Sequence, residues 1–296
     1  MRVSFFCIGI GNGASADAIR EAAINAERLG FSGIWAPEHV VLFDSQSSKY
    51  PYEPTGQLPL PKDINFYSPF VALTYAASVT TRIRLATGVC LVPERNPIFL
   101  AKEIATLDHL SGGRVALGVG IGWSAEEFRA AGVPFERRAA RTREYIELMR
   151  RLWSEDKTTF SGEFVSVENV RSFPKPVSGA KLPILFGGES DAALKRVASY
   201  GTGWFGLGLT PEEVGNKVKQ LHRFARDYKR EPEELEIIIG PYNKPAAPAD
   251  LKYFHAAGVQ ELAVTVGFGF PEKPSAIRAW MEKLASDWVE PAHKLK

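Results

Sequence analysis

Two segments of the sequence could exchange protons or bind an anion. His39 follows Glu38 directly after an apolar run, and an imidazole titrates near neutral pH, so it can donate or accept a proton there. Gly187–Asp191 (GGESD) precedes a helical pattern, where free backbone N–H groups bind phosphate, although Glu189 carries the wrong charge for it. Two structural interpretations stay open: a loop histidine paired with Glu38, and simple helix capping by Ser190.

Two further segments are glycine-rich ends of apolar runs. Gly88 interrupts Ala86–Pro93, and a glycine inside such a run marks a bulge or a close approach to the backbone. Gly118, Gly120 and Gly122 end another run, where glycine lets a flat ligand or a phosphate approach the main chain. Strand packing and tight turns also require glycine. For both segments, a binding role and a structural role therefore remain alternative interpretations.

The sequence contains no motif of another common chemistry. The five histidines are scattered, and there is no H-x-x-x-H, no C-x-x-C and no G-x-S-x-G. Cys7 and Cys90 lie in apolar runs and predict buried free thiols rather than a disulfide, as in a reducing cytoplasm. We therefore expect no metal site, and a bound organic cofactor that carries the chemistry.

Charge and hydropathy indicate a soluble, cytoplasmic protein. The formal net charge is +2, from 36 basic and 34 acidic residues, so no nucleic-acid partner is expected. The arginines of residues 137–143 alternate with Glu136, Glu144 and Glu147 and predict a solvated helix face. No apolar stretch approaches about 18 residues, and no signal-type segment begins the chain, so we expect no membrane contact.

Alternating strands and helices must position these segments. Eight apolar runs, each followed by a helical pattern, are predicted strands: Val3–Ile10, Phe31–Ala36, Ile83–Val92, Val115–Val119, Ile184–Phe186, Gly203–Leu207, Leu235–Ile239 and Leu262–Val266. This count predicts a single α/β domain over residues 1–296, a (β/α)₈ TIM barrel. The rival, an open doubly wound sheet, expects G-x-G-x-x-G after its first strand, whereas Gly9, Gly11 and Gly13 are spaced G-x-G-x-G. In a barrel, all four glycine and histidine segments fall at the catalytic, C-terminal strand ends.

Two connections are long enough to be insertions. Residues 37–66 follow the second strand, as either a lid over an apolar pocket or a surface loop packing its own aromatics. The aromatic residues that could line such a pocket are Phe43, Tyr50, Tyr52, Phe66 and Tyr67. Residues 154–182 precede the fifth strand, and Thr158–Phe160 and Glu163–Val167 predict a β-hairpin within them. The last helix is predicted as continuous from Ile277 to Trp288.

The order and spacing of four motifs resemble the bacterial luciferase-like monooxygenase superfamily, and within it the branch that depends on the deazaflavin coenzyme F420. The motifs are Gly33–His39 (GIWAPEH), Arg84–Pro97 (RLATGVCLVPERNP), Leu107–Trp123 (LDHLSGGR followed by GxGxGW) and Pro183–Ser190. The resemblance extends over nearly the whole chain, from Met1 to Trp288.

The resemblance implies a role at the cofactor for each motif. The residue matching His39 lies beside the cofactor ring and takes part in proton transfer in several deazaflavin enzymes. A non-proline cis peptide behind the ring would fall at Gly88–Val89. We therefore expect His39 to be catalytic. The residues expected to bind the cofactor are Glu38, Thr87, Gly88, Val89, Gly120, Ile121, Gly187, Gly188, Glu189 and Ser190.

The resemblance also implies an activity: hydride transfer between F420 and a small, moderately apolar organic substrate, in a homodimer. FMN is the alternative cofactor, and with reduced FMN the same pocket would serve a monooxygenase that inserts one atom of O₂. A non-catalytic flavin-binding protein is a further alternative. So is a phosphate-binding barrel with its site at Gly240–Pro241 and residues 267–269.

Overall fold

Parallel strands form one sheet that closes on itself. The computed structural model describes residues 1–244, 246–265, 270–271 and 273–295. Within them the strands are β1 (Arg2–Phe6), β2 (Gly33–Ala36), β3 (Arg84–Thr87), β4 (Cys90–Leu91), β5 (Val115–Gly120), β6 (Thr158–Ser161), β7 (Ser166–Val170), β8 (Ile184–Gly187), β9 (Gly203–Leu207), β10 (Glu236–Gly240) and β11 (Glu261–Val264). Nine of them form the sheet, in the order β3-β2-β1-β11-β10-β9-β8-β5-β4, and pairing of β3 with β5 closes it. A separate antiparallel hairpin joins β6 and β7.

Strands β3 and β4 together occupy one position of the barrel. Leu85 in β3 pairs with Val115, and Cys90 in β4 pairs with Val119 of the same strand, β5. The barrel therefore has eight strand positions, and the predicted (β/α)₈ fold with insertions after the second and before the fifth position is confirmed.

Helices surround the barrel and pack their small or aliphatic faces on it. In α1, for example, Ala18, Ala22 and Ala26 recur at helical spacing and are fully buried. The helices are α1 (Ala16–Arg28), α2 (Pro69–Ala77), α3 (Pro97–Ser111), α4 (Ala125–Ala130), α5 (Arg138–Ser154), α6 (Asp191–Tyr200), α7 (Pro211–Asp227), α8 (Leu251–Ala256), α9 (Ile277–Leu284) and α10 (Glu290–His293).

The inside of the barrel is filled by side chains. Trp35 from β2 stacks on Phe205 from β9 with ring centroids 4.7 Å apart, and Phe6 from β1 lies 5.7 Å from Phe205. These rings and small residues such as Ala86 and Ala116 form a closed layer. This layer is the floor on which a ligand at the C-terminal strand ends would rest.

Two strand predictions were too long at the site end of the barrel. The predicted strand Val3–Ile10 ends at Phe6, where Cys7 takes a left-handed φ of 78°. The predicted strand Ile83–Val92 breaks after Thr87 at a cis peptide between Gly88 and Val89. Of the predicted last strand, Val266 lies outside the described residues.

Three further predictions required correction because of tertiary contacts. The hairpin exists, but its second arm is Ser166–Val170, since the carboxylate of Glu144 accepts the N–H groups of residues 163–165 and holds them in a turn. The last helix is interrupted by a π-helical segment at Ala285–Val289. Within the predicted solvated arginine face, Arg141 is only 5% exposed, because it donates to the carbonyl of Pro134.

Both thiols are free and buried, as predicted. No described helix is long and apolar enough to span a membrane.

Candidate active site

A cavity of about 470 Å³ opens at the C-terminal ends of the barrel strands. That volume is in the range of small-molecule and cofactor sites. Ten of the eleven residues predicted for the site line it: Glu38, His39, Gly88, Val89, Gly120, Ile121, Gly187, Gly188, Glu189 and Ser190. The four motifs of the sequence therefore meet at one place.

Thr87 is the predicted site residue that does not line the cavity. It is 1% exposed, and its hydroxyl donates to the carbonyl of Gly118 at 2.8 Å and accepts from the N–H of Gly118 at 3.0 Å. A Cβ on Gly118 would lie 1.9 Å from the carbonyl oxygen of Thr87. Thr87 and Gly118 therefore join β3 to β5, and Gly118 is glycine for strand packing rather than for a ligand.

Glu38 lines the cavity, but the protein itself engages its carboxylate. One oxygen accepts the N–H of Leu91 at 2.6 Å, and the other accepts Nε of Arg95 at 2.9 Å, in an ion pair. These bonds fix the chain after β2 against the short strand β4. Its side chain thus shapes the wall that carries His39.

His39 is paired with a buried carboxylate from α4. Its Nδ1 lies 2.9 Å from Oε2 of Glu127, whose other oxygen accepts the N–H of Val40 at 2.6 Å. The carboxylate therefore acts as an acceptor, so Nδ1 of a neutral His39 carries the hydrogen and Nε2 holds a free lone pair. A histidine in this state can accept a proton at Nε2, and the carboxylate then stabilises the imidazolium.

The sequence prediction missed Glu127 because it missed α4. A signal was present: Ser124 and Glu127 have the S-x-x-E spacing of a helix start, and the Ser124 hydroxyl accepts the N–H of Glu127 at 3.3 Å. That spacing follows the Gly120–Trp123 turn directly.

The insertion after β2 covers the cavity with aromatic and aliphatic side chains. Tyr50, Tyr52 and Phe66 line it, as predicted, whereas Phe43 and Tyr67 do not. Leu58 and Leu60 add aliphatic surface, and both are buried. The insertion therefore packs over the cavity rather than forming a separate surface loop.

Hydrogen bonds on two sides hold this insertion over the cavity. Glu126 of α4 accepts the N–H and hydroxyl of Ser47, each at 2.7 Å, and the N–H of Ser48 at 3.2 Å. These bonds hold the pKa of Glu126 far below its usual range. On the other side, the amide of Asn243 donates to the carbonyl of Tyr52 at 2.6 Å. The covering segment is thus tied to α4 and to the loop after β10.

One end of the cavity is suited to an anion. Ser190 caps α6 by accepting the N–H of Ala193 at 3.2 Å, and Gly188 takes a φ of 101° in the turn before it. Arg196, one and a half turns further along α6, lines the cavity, and its buried Nε has no hydrogen-bond partner among the described residues. Burial lowers the pKa of Arg196, and the neighbouring Arg138 lowers it further.

Arg138 and Arg196 are the cations that the sequence motifs did not identify. Within the described ranges, neither has a carboxylate within 4 Å. Arg196 lines the same cavity as the N-terminus of α6, and a guanidinium group without a counter-ion together with a helix N-terminus is a donor set that binds phosphate. A cofactor with a phosphate group therefore fits this end.

Glu189 does not oppose an anion in the way its charge suggested. Its Oε1 accepts the N–H of Leu207 at the end of β9 at 2.9 Å, and the hydroxyl of Tyr52 lies 3.5 Å away. Burial raises the pKa of Glu189 to about 7. Its carboxyl is thus engaged by β9 and is partly neutral near physiological pH.

The described residues contain no group of three or more His, Cys, Asp or Glu side chains that could hold a metal ion. The fold and the cavity together define a class: a (β/α)₈ barrel with a cavity at its strand ends, one end of which presents a helix N-terminus and the guanidinium group of Arg196. The chain belongs to the luciferase-like monooxygenase family, whose pattern matches residues 1–243. Members of this family are oxidoreductases and monooxygenases that use F420 or FMN.

Similar sequences include F420-dependent enzymes. An uncharacterised protein of Mycobacterium tuberculosis is 37% identical over 269 residues, which cover 90% of this chain and 92% of that protein. The F420-dependent glucose-6-phosphate dehydrogenase of Rhodococcus hoagii is 33% identical over 193 residues, or 62% of this chain and 57% of that enzyme. These relatives support the F420-dependent branch of the family.

Solved structures share the fold over nearly the whole chain. The monooxygenase RslO1 of Streptomyces bottropensis matches with a TM-score of 0.73 and 21% identity, covering 98% of this chain and 99% of that one. An F420-dependent secondary alcohol dehydrogenase, solved with an F420–acetone adduct, matches with a TM-score of 0.74 and 18% identity, covering 95% and 97%. At these identities the likeness establishes the barrel fold alone.

Proposed function

We propose that this protein transfers a hydride between coenzyme F420 and a small, moderately apolar organic substrate such as an alcohol or ketone. The observation that carries the proposal is the pairing, in one cavity, of the His39–Glu127 proton acceptor with an anion end formed by Arg196 and α6. The F420-dependent relatives supply the choice of cofactor.

Residues at both ends of the cavity would hold the cofactor. The N-terminus of α6, Gly188 and Arg196 would bind its phosphate, and the backbone at Gly88–Val89 and Gly120–Ile121 would flank its ring system. F420, when bound, supplies a ring carbon that donates or accepts the hydride.

His39 handles the proton that accompanies the hydride. In alcohol oxidation the substrate O–H bond breaks and a new N–H bond forms at Nε2 of His39. The Glu127 carboxylate, 2.9 Å from Nδ1, stabilises the resulting imidazolium. In the reverse direction the imidazolium returns this proton to the carbonyl oxygen. The rings of Phe66 and Trp123 lie roughly perpendicular to the imidazole, with ring centroids 5.5 and 5.8 Å from its own, and limit access of water.

The substrate side of the cavity favours an uncharged molecule. Its wall is built by Tyr50, Tyr242, Leu58 and Leu60. Of the charged residues that line the cavity, Glu38 and Glu189 are engaged by protein donors, and Arg196 lies at the cofactor end. A sugar phosphate would need a second anion site, which the described lining residues do not provide.

Cofactor binding and turnover test this function together. Purified protein is titrated with F420 and with FMN, and oxidation of a panel of alcohols is followed anaerobically by the absorbance of F420. We expect F420 to bind and to be reduced. We expect His39→Ala to lower turnover about 10²- to 10⁴-fold, with F420 affinity changed little.

Other outcomes would replace the proposal. Oxygen-dependent turnover with reduced FMN would identify a monooxygenase, and tight binding without turnover would identify a non-catalytic flavin-binding protein. If neither cofactor bound, the proposal would be wrong.

We further propose a single domain over residues 1–296 that acts as a homodimer in the cytoplasm.

A further inference from the structure

The wall behind His39 contains three buried carboxyl groups, of which two are engaged by another side chain. Glu127 is bonded to His39, and Glu38 forms an ion pair with Arg95. Glu94, in the 3₁₀ turn Val92–Glu94, is 8% exposed, and neither of its carboxyl oxygens has a hydrogen-bond partner among the described residues. A buried carboxyl group without partners is far less costly as a neutral acid than as an anion.

Glu94 lies directly behind the cavity wall. Gly122 lines the cavity, and a Cβ built on Gly122 would be 3.0 Å from Oε1 of Glu94. Glu94 itself is not a lining residue. Its carboxyl group therefore does not contact a ligand in the cavity and can influence the His39–Glu127 pair only through space.

Neighbouring charges and burial keep a proton on Glu94. Burial, and then repulsion from Glu127 and Glu38, raises the pKa of Glu94 to about 8, and Arg95 opposes this only in part. Two other ionisable groups border this wall. Burial raises the pKa of the Cys90 thiol, so it is neutral, and the Arg138 guanidinium donates to the carbonyl of Gly122 at 3.1 Å.

A neutral Glu94 limits the negative charge of this wall. Glu38 is paired with Arg95, so Glu127 is the one carboxylate of the wall without a charged partner while His39 is neutral. Protonation of His39 supplies that partner. An ionised Glu94 would add a second negative charge and hold the proton on the imidazole more tightly.

We propose that Glu94 is held as a neutral acid so that His39 can both take up the substrate's proton and return it. This inference rests on the proton-handling role of His39 in the proposed function. Glu94 touches no reacting atom and is a positioning residue for that proton.

The first test needs neither cofactor nor substrate. Infrared difference spectra of the full chain at pH 7 compare the wild type with Glu94→Gln, and the carbonyl stretch of a protonated carboxyl group is measured. We expect the spectrum of the wild type minus that of Glu94→Gln to show this band, and the wild type minus Glu103→Gln to lack it. Glu189, which is partly neutral at this pH, contributes equally in all three proteins and cancels. Glu103 is a matched control because it also contacts Arg95 but is 48% exposed.

The second test follows the ring of His39 by NMR between pH 5 and pH 10 in the cofactor-free protein. The His39 signal is assigned with His39→Gln. In the wild type we expect a second titration step near pH 8, as Glu94 ionises. This step should be absent from Glu94→Gln and present in Glu103→Gln.

Two results would overturn the inference: a carboxyl band that is equally strong in the wild type and Glu94→Gln, or a His39 titration curve that is the same in the wild type and Glu94→Gln. Since both measurements use the protein without cofactor, their failure is distinct from a failure to bind F420 or to turn over substrate. If Glu94→Gln did not fold, Glu94→Asp, which keeps the acid but moves it, should shift the second step rather than abolish it.

Discussion

At the scale of single residues, the chemistry of the cavity depends on a pair that is distant in sequence. His39 and Glu127 are separated by 88 positions, and their bond exists because β2 and the turn after β5 end at the same face of the barrel. His39 could be predicted from its place after a strand. Glu127 could not be predicted as its partner, since nothing local in the sequence connects a carboxylate in a short helix to a distant imidazole.

Arg196 gives a prediction about cofactor affinity. Its guanidinium lines the anion end of the cavity without a carboxylate partner, so Arg196→Gln should weaken F420 binding about 10- to 100-fold, as expected for loss of a charge-assisted hydrogen bond. Fluorescence titration measures this. The adjacent, exposed Lys195→Gln should bind F420 like the wild type. Equal losses in both variants would assign the effect to the overall charge of α6 instead.

Glu94 gives a prediction about stability. Its pKa in the folded protein is about 8, against an ordinary value of 4.5, so the folded chain keeps a proton that the unfolded chain releases. This contribution to the free energy of unfolding is fully present below about pH 4.5 and is lost as the pH rises to about 8. Relative to Glu94→Gln, the wild type should therefore become less stable with rising pH. The difference should be on the order of a few kcal/mol at pH 9, since one pKa unit corresponds to about 1.4 kcal/mol.

Urea denaturation between pH 5 and pH 9 measures this difference. Glu189, whose pKa is raised to about 7, gives a loss of the same sign, but it is present in both proteins and cancels in the comparison. Stability curves that run parallel for the wild type and Glu94→Gln would contradict the prediction.

At the scale of elements, the helix α4 (Ala125–Ala130) is the one that the site depends on most. It is six residues long, so its geometry relies on the Ser124 cap rather than on helix propensity. Its second and third residues, Glu126 and Glu127, engage the covering insertion and His39.

Loss of that cap should therefore affect turnover more than a comparable loss elsewhere. Ser124→Ala should destabilise the protein by about 1 kcal/mol and lower turnover severalfold, because Glu127 is no longer fixed against His39. Ser15→Ala removes an equivalent cap from α1, where Ser15 accepts the N–H of Ala18 at 3.1 Å, and should cost similar stability with normal turnover. Thermal melts and initial rates measure the two effects. Normal turnover in Ser124→Ala would show that the position of α4 does not affect catalysis.

The boundaries of the β6–β7 hairpin and of strands β3 and β4 could not be predicted from the local sequence. The existence of β6 and β7 was predicted from the turn residues between them, but the second arm was misplaced because Glu144, on α5, fixes the turn. Gly88 suggested a bulge within this apolar run, but periodicity joins β3 and β4 into one strand, and the cis peptide that separates them was expected only from the family resemblance. Boundaries set by contacts from other elements are not encoded in the pattern of a single segment.

At the scale of the whole molecule, the barrel could be predicted from repetition alone. Each apolar run followed by a helical pattern specifies one parallel strand and one crossover, and eight such units close the sheet. The filling of the barrel also follows, since alternate strand residues must point inward. The proximity of the two cations Arg138 and Arg196 could not be predicted from the sequence, because α5 and α6 approach each other only in the folded chain.

The proposed homodimer gives a prediction at this scale. The neighbouring helices α2 and α3 expose Val71, Phe99 and Leu110, which are 68%, 72% and 72% exposed. We expect a second copy of the chain to cover this face, so Phe99→Glu should convert a dimer into a monomer in light scattering at micromolar concentration. Tyr253→Glu, at an exposed site on α8, should leave the mass unchanged. A wild-type monomer would refute the dimer.

The double attachment of α4 has a consequence for attempts to change the substrate. Adjacent glutamates of this helix bind the covering insertion and the histidine, so residues 37–66 and 124–130 are mechanically coupled. An exchange of residues 37–66 that displaces the backbone at Ser47 and Ser48 would release Glu126 and move Glu127 away from His39. A chimera that exchanges both segments together should therefore retain more activity than one that exchanges residues 37–66 alone.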